Sequence, residues 1–320
     1  MPLYNDAASI ESCLEALLAQ TCAADLEIIV VDDGSTDAGP ARASSYPIRL
    51  IRQRNAGPAA ARNAGARAAK GAILIFLDAD CIAPRDWVGR VLLQFEDAQV
   101  GAVTGAITPA EPHIMARLIQ LEIEERYAKL GKSLAVDFFA SVAVAIRSEL
   151  FHAVGGFRED FRYNEDVELA YRLNALSTKI VFVAEPRVAH FHPTGLRNYF
   201  WMKFWRGVWR MRLYTLFPKK AVADSWTPQT LKFQTLAALA TFPVTIAALF
   251  YPSLGFLAIG LVSAILLSGS QFVKSAQCRG GAVLAVWSTG FLLVRAVALA
   301  SSVAWHVFTQ RNWNRRELKQ

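Results

Sequence analysis

Twice within its first 80 residues the chain runs through a short apolar stretch and stops on acids. Leu26-Glu27-Ile28-Ile29-Val30-Val31 ends in Asp32-Asp33-Gly34-Ser35, and Ala72-Ile73-Leu74-Ile75-Phe76-Leu77 ends in Asp78-Ala79-Asp80. Runs this short, bounded by polar turns, predict strands buried on both faces of a parallel sheet. Helical patterns lie around them. Ile10, Leu14, Leu17 and Leu18 recur at i, i+4, i+7 and i+8, and the segment 57–70 is rich in alanine. Residues 48–52 read as another strand. Strands alternating with helices predict a doubly wound, mostly parallel α/β sheet. Such sheets bind ligands at the carboxyl ends of their strands, where both acidic turns fall.

Further strands are predicted at 100–107 and 179–183, with an apolar run over 136–146. Helices are predicted at 113–130, 148–154 and 167–176.

Each acidic turn has two readings. Asp78 and Asp80, separated by one small residue, can reach a single hard cation, magnesium or manganese, through oxygen ligands; the alternative is a solvated turn. Asp32 and Asp33 either accept hydrogen bonds from a nucleotide or shape a type I turn and helix cap. Arg62 either holds a phosphate or an aspartate, or is an ordinary surface-helix arginine. Asn164-Glu165-Asp166 is either a favourable acidic first turn or carries a general base for an acceptor hydroxyl.

Composition changes along the chain. Overall, 53% of residues are apolar and the formal charge is +7. Charges nearly vanish after about residue 235, giving apolar spans at 235–251, 254–270 and 283–308. The first two are short for a bilayer, which takes roughly 20 residues per helix, so two or three transmembrane or re-entrant segments are expected. Arg295 sits within the third span and should face protein, water or a phosphate headgroup. Residues 196–220 combine Phe200, Trp201, Phe204, Trp205 and Trp209 with Lys203, Arg206 and Arg210, whose spacing puts the three cations on one face. This predicts an interfacial helix; an ordinary aromatic-rich packing helix is the alternative. A basic tail follows over 309–320. The basic segments place the soluble part on the cytoplasmic face of a membrane, and no nucleic-acid-binding module accompanies the charge. The four cysteines, at 13, 22, 81 and 278, form no CxxC pair, which fits a reducing compartment without disulfides. No secretory signal is expected at the N-terminus.

Five ordered blocks resemble the family 2 glycosyltransferases. They are Pro2-x-Tyr4-Asn5 with Ile29–Asp37; Asn55-x-Gly57-x-x-x-Ala61-Arg62-Asn63-x-Gly65; Leu77-Asp78-Ala79-Asp80; Gly155-Gly156-Phe157-x-Glu159; and Glu165-Asp166-Val167-Glu168-Leu169-Ala170-x-Arg172-Leu173. The match covers about residues 1–195, with a donor half at 1–107 and an acceptor half at 108–195. The resemblance implies a GT-A fold, a nucleotide-diphosphate-sugar donor and an inverting transfer without a covalent intermediate. It implies that Asp33 contacts the nucleotide base with Asp32 beside it. Asn55, Arg62 and Asp78 would serve the donor, and Asp80, with Asp78 beside it, the magnesium or manganese ion. Asp166 would be the general base. In related enzymes a downstream histidine, here His190, completes the metal or diphosphate shell; a histidine hydrogen-bonded at a sheet edge is the alternative.

Several positions depart from the family pattern. The apolar strand that normally precedes Pro-x-Tyr-Asn is missing, so two neighbouring edges should be left without it; the expectation is that the natural protein starts upstream. Cys81 stands where an acid is frequent. Val142-Ala143-Val144 replaces a more polar segment, which bears on acceptor type. Trp205-Arg206-Gly207-Val208-Trp209-Arg210 replaces the Gln-x-x-Arg-Trp of polymerising members, so a processive synthase is not expected. The expected function is metal-dependent sugar transfer to a lipid-linked or membrane-proximal acceptor at the inner membrane. The alternative is a catalytically silent sugar-nucleotide-binding subunit of a membrane assembly.

Overall fold

The computed structural model describes residues 1–130 and 135–317, with side chains placed through residue 309. The side chains of the basic tail from 310 onward lie outside the described residues. In chain order the elements are β1 (Pro2–Leu3), α1 (Ile10–Leu18), β2 (Ile29–Asp32), α2 (Gly39–Ala43), β3 (Arg49–Arg52), α3 (Pro58–Ala68), β4 (Ile73–Leu77), β5 (Cys81–Ile82), α4 (Trp87–Leu93), β6 (Val100–Pro109) and α5 (Ile114–Leu130). They continue as β7 (Ala143–Arg147), α6 (Ser148–Ala153), α7 (Glu165–Ala175), β8 (Lys179–His190), α8 (Leu196–Leu216), α9 (Pro218–Val222), α10 (Gln229–Ala248), α11 (Leu254–Ser268) and α12 (Ser270–Glu317).

These elements form two compact units. One is Met1–Glu111 with Tyr127–His192; the other is Pro112–Arg126 with the chain from Pro193 onward. The first part of α5, assigned by sequence to the acceptor half, thus clusters with the C-terminal helices. Its apolar face explains this: Met115, Leu118 and Leu121 join Tyr199, Phe272, Leu284 and Phe291 in one buried cluster.

In the first unit, β1, β2 and β3 pair in parallel, and all four residues of β2 are buried. Helix α3 is preceded by Gly57, whose φ of 93° favours glycine, and starts on Pro58. Its inner face is built from Ala59, Ala60, Ala61, Gly65 and Ala66, and a Cβ on Gly65 would already touch Val31 at 3.4 Å. The small residues are what allow this close approach. The second sheet has the order β4-β7-β6-β8-β5. It is mixed: β6–β8 is parallel, whereas β4–β7, β6–β7 and β5–β8 are antiparallel. The mostly parallel order expected from strand-helix alternation therefore holds for β1–β3. In the second sheet β7 inserts between β4 and β6 and reverses direction.

Strand β1 has two residues and lies inside the Pro2-x-Tyr4-Asn5 block. Pro2 pairs with Val31 and Leu3 with Asp32. A cavity of about 170 Å³ is lined by Met1, Ile28, Ile29 and residues 73–77. Among the described residues β2 and β4 are not paired with each other, so the sheet divides there.

In the second unit, α10 and residues Ser270–Thr309 of α12 are long and apolar enough to cross a membrane, with mean hydropathies of 1.3 and 1.9. The 15-residue α11 spans only about 22 Å at 1.5 Å per residue, short of a bilayer core. Gly281, at φ 68°, breaks α12 into two helical arms. Gly207 of α8 lies against α12 so closely that a Cβ would overlap Ser302. Large apolar side chains remain exposed on these helices, among them Phe242, Leu249, Phe256, Leu267, Val286 and Phe308.

Candidate active site

The ends of β1, β2 and β3 are tied into one loop system. Asp33 is almost completely buried, and its carboxylate accepts three hydrogen bonds: from Gln53 Nε2 at 2.7 Å, Ala56 N at 2.9 Å and Gly57 N at 2.8 Å. Asp32 accepts from Ser35 N at 2.8 Å, the turn-forming bond, and Asn5 Oδ1 accepts from Thr36 N at 2.8 Å. Gly34 has φ 78°, and a Cβ there would come within 3.0 Å of Asn55 N. The side chain of Asn55 is exposed on this loop.

Arg62 is not a surface arginine; it is 4% exposed. Its Nη2 donates to Asp78 Oδ1 at 2.6 Å and its Nη1 to Glu165 Oε1 at 2.8 Å. The ring of Phe157 lies 5.7 Å from the guanidinium. Burial opposes ionisation of Asp78, but Arg62 outweighs it and holds the carboxyl below its usual range. Burial also disfavours the Arg62 charge, yet Asp78 and Glu165 keep it firmly protonated. Glu165 is pushed up to about 7 by burial and by Asp166 beside it, against the pull of Arg62.

The register of β5 against β8 sets Cys81 opposite His190. This brings His190 Nε2 to 3.4 Å from Asp80 Oδ2. Ligand atoms of Asp80, Cys81 and His190 all lie within 4.8 Å of one another. Burial, together with the nearby Asp78, raises Asp80 despite His190. Asp6 is raised to about 6 by burial and then by Asp80 and Asp78. This crowding of carboxylates is what a divalent cation would relieve, and oxygen and imidazole ligands suit magnesium or manganese. Cys81 suits it less, because burial and the two aspartates keep its thiol protonated. His190 Nδ1 is buried without a partner.

Asp166 opens α7. Its Oδ2 accepts from Ser141 N at 3.1 Å and its Oδ1 from Val167 N at 2.8 Å. Glu168 and Arg172 brace the same helix, and Arg172 also donates to the carbonyls of Val154 and Gly156 at 2.6 Å each. The Gly155-Gly156 turn is thereby fixed to α7. Asn63 joins it, donating to the Phe157 carbonyl at 2.8 Å and accepting from Phe157 N at 2.9 Å.

Of the sequence-selected residues, Arg62 and Asp78 are brought into direct contact, as are Asp80 and His190. Asp33 and Asp32 are committed to their own loops. Glu165 and Asp6 were not selected. Glu165 carried only the signal of being the first acid of α7, and Asp6 only its place beside the Pro-x-Tyr-Asn block.

Residues 1–154 match the family model described as glycosyl transferase family 2. In this N-terminal region the chain is therefore similar to the family 2 glycosyltransferases. Among its relatives is the pre-mycofactocin glycosyltransferase of Mycobacterium tuberculosis, 29% identical over 96% of this chain and 64% of that protein. The validoxylamine A glucosyltransferase of Streptomyces hygroscopicus is 34% identical over 55% of this chain and 50% of that protein. The chain thus spans less than two thirds of the length of these relatives. In fold, the chain resembles the mannosyltransferase PcManGT of Pyrobaculum calidifontis, solved with GDP-Man and Mn2+. The TM-score is 0.60 and the identity 22%, covering 96% of this chain and 85% of the other.

Proposed function

We propose that the protein is an inverting glycosyltransferase. It moves a sugar from a nucleotide-diphosphate sugar to a hydroxyl, or a lipid phosphate, of a membrane-proximal acceptor. One observation supports this most: within a single unit, Arg62 ties Asp78, two residues before Asp80, to Glu165, the neighbour of Asp166.

On this reading Asp80 and His190 hold a divalent cation, with Asp78 beside them. Magnesium or manganese bound there would supply positive charge to the departing diphosphate. The loop braced by Asp33 cradles the nucleotide, with Asp32 beside it and the exposed Asn55 offering further polar contact. Asp166, its carboxylate oriented by Ser141 N and Val167 N, takes the proton of the acceptor hydroxyl as that oxygen attacks the anomeric carbon. The two long apolar helices support membrane anchoring, and the basic segments beside them favour the inner membrane with the first unit on the cytoplasmic face.

The test is a donor panel with manganese, read first by thermal shift and then by product formation. One nucleotide sugar should stabilise the protein selectively and be consumed. Binding without turnover across a broad acceptor panel would favour the silent subunit instead.

A further inference from the structure

The second unit contains a charge cluster that the proposed transfer does not use. Glu122 of α5 is 2% exposed. Its Oε1 accepts from Arg126 Nη2 and, at 2.7 Å, from Lys203 Nζ; its Oε2 accepts from Tyr199 OH at 2.9 Å. Arg295 Nη1 approaches the same Oε1 at 3.8 Å, and Arg295 Nη2 donates to Gln234 Oε1 at 2.8 Å. Gln234 is held in turn by Ser268 Oγ at 3.0 Å. Arg126, Lys203 and Arg295 are 9%, 8% and 5% exposed, so three cations withdrawn from water share one buried carboxylate.

A single carboxylate does not balance this set. Cations removed from water are costly unless each is paired and hydrogen-bonded. Here the Nε atoms of both Arg126 and Arg295 are buried without a hydrogen-bond partner. Trp226 stacks on Arg126 at 4.9 Å and Phe272 on Arg295 at 5.6 Å, covering one face of each guanidinium. The surrounding charges do not restore balance. Among the described residues, Arg206 and Arg210 add positive potential at Lys203 and Arg126, while nearby acids include the exposed Glu125 on α5 and Asp224, whose oxygens accept from Tyr214 OH, Trp226 N and Thr227 N. Burial and then Arg126 push Lys203 down to about 7, against the pull of Glu122.

We infer that Arg126, Lys203 and Arg295 form a seat for the phosphate group of a membrane lipid. Two guanidiniums and an ammonium converging from α5, α8 and α12 suit a phosphate monoester or diphosphate, which takes several charge-assisted hydrogen bonds at once. A lipid is favoured as the source because Arg295 lies within the apolar span of α12, among helices that expose large apolar side chains. The inference rests on the membrane part of the proposed function and not on the transfer chemistry.

The test uses the full chain in nanodiscs of phosphatidylcholine alone or with phosphatidic acid, a phosphomonoester lipid. Parallel samples in phosphatidylcholine alone receive inorganic phosphate or pyrophosphate. Phosphatidic acid should raise the melting temperature by roughly 3–5 °C, and Arg295→Gln and Lys203→Met should each remove most of the rise. Reading two variants keeps the test decisive if one fails to fold. An equal rise from inorganic phosphate would overturn the lipid as the source. No rise with phosphatidic acid, or an undiminished rise in both variants, would overturn the seat itself. Because no turnover is measured, this result is separable from failure of the transfer reading.

Discussion

Arg62 and Glu165 meet at 2.8 Å although 103 residues separate them in sequence. The same guanidinium holds Asp78 at 2.6 Å. One cation therefore couples a carboxylate at the end of β4 to the first turn of the helix that carries Asp166. Arg62 is a positioning residue: it sets both acids without being free to leave either.

Removing that cation should be costly. Arg62→Met leaves two carboxylates facing each other with no counter-charge, a loss of about 3–5 kcal/mol for a broken buried pair. Arg62→Lys should recover part of it, since an ammonium does not reproduce the two-pronged guanidinium contact. Urea unfolding of the three proteins measures this, and equal midpoints would refute the bridge.

Glu165 gives a signed pH dependence. Its folded-state value near 7 lies above its ordinary value of 4.5. Its contribution to stability is therefore fully present below pH 4.5 and is lost as pH rises to about 7. Thermal unfolding of wild type and Glu165→Gln between pH 4.5 and 8 should show the wild type losing stability relative to the variant over that window. Parallel profiles would contradict the assignment.

Asp33 should act through its loop. Asp33→Ala strands Ala56 N, Gly57 N and the Gln53 amide, a cost of about 2–4 kcal/mol if part of it is recovered by water. Amide exchange at Ala56 and Gly57 should accelerate, and stabilisation by nucleotide diphosphates should fall. Unchanged exchange would show that the carboxylate does not brace the loop.

For the cation, manganese titration followed by electron paramagnetic resonance should give a saturable site in wild type. Asp80→Ala should abolish it and His190→Ala should weaken it by at least roughly 10–100-fold, the loss typical even of groups that only support a ligand. Undiminished binding in Asp80→Ala would move the metal elsewhere.

Part of this was legible beforehand. The runs ending at Asp32 and Asp78 announce β2 and β4 because strands buried on both faces need uninterrupted apolar residues. The alanines and Gly65 of α3 likewise announce a helix lying close to a sheet. Strand direction was not legible: Ala143–Arg147 carries no mark that it will run antiparallel between β4 and β6. Nor was the partner of Arg62, since helical position alone left surface and buried readings open and only the packing of α7 brings Glu165 to it. Lys203 shows the same limit. Its spacing with Arg206 and Arg210 suggests one basic face at the headgroups, yet Glu122, 81 residues earlier, draws Lys203 inside.

The most direct test of transfer is Asp166→Asn in a product-formation assay, with donor binding followed in parallel by thermal shift. The substitution preserves shape and removes only the carboxylate base. Product formation should fall by roughly 10²–10⁴-fold, as loss of a general base does, while donor stabilisation stays at the wild-type level. Transfer that persists at the wild-type rate would contradict Asp166 as the base and, with it, the proposed reaction.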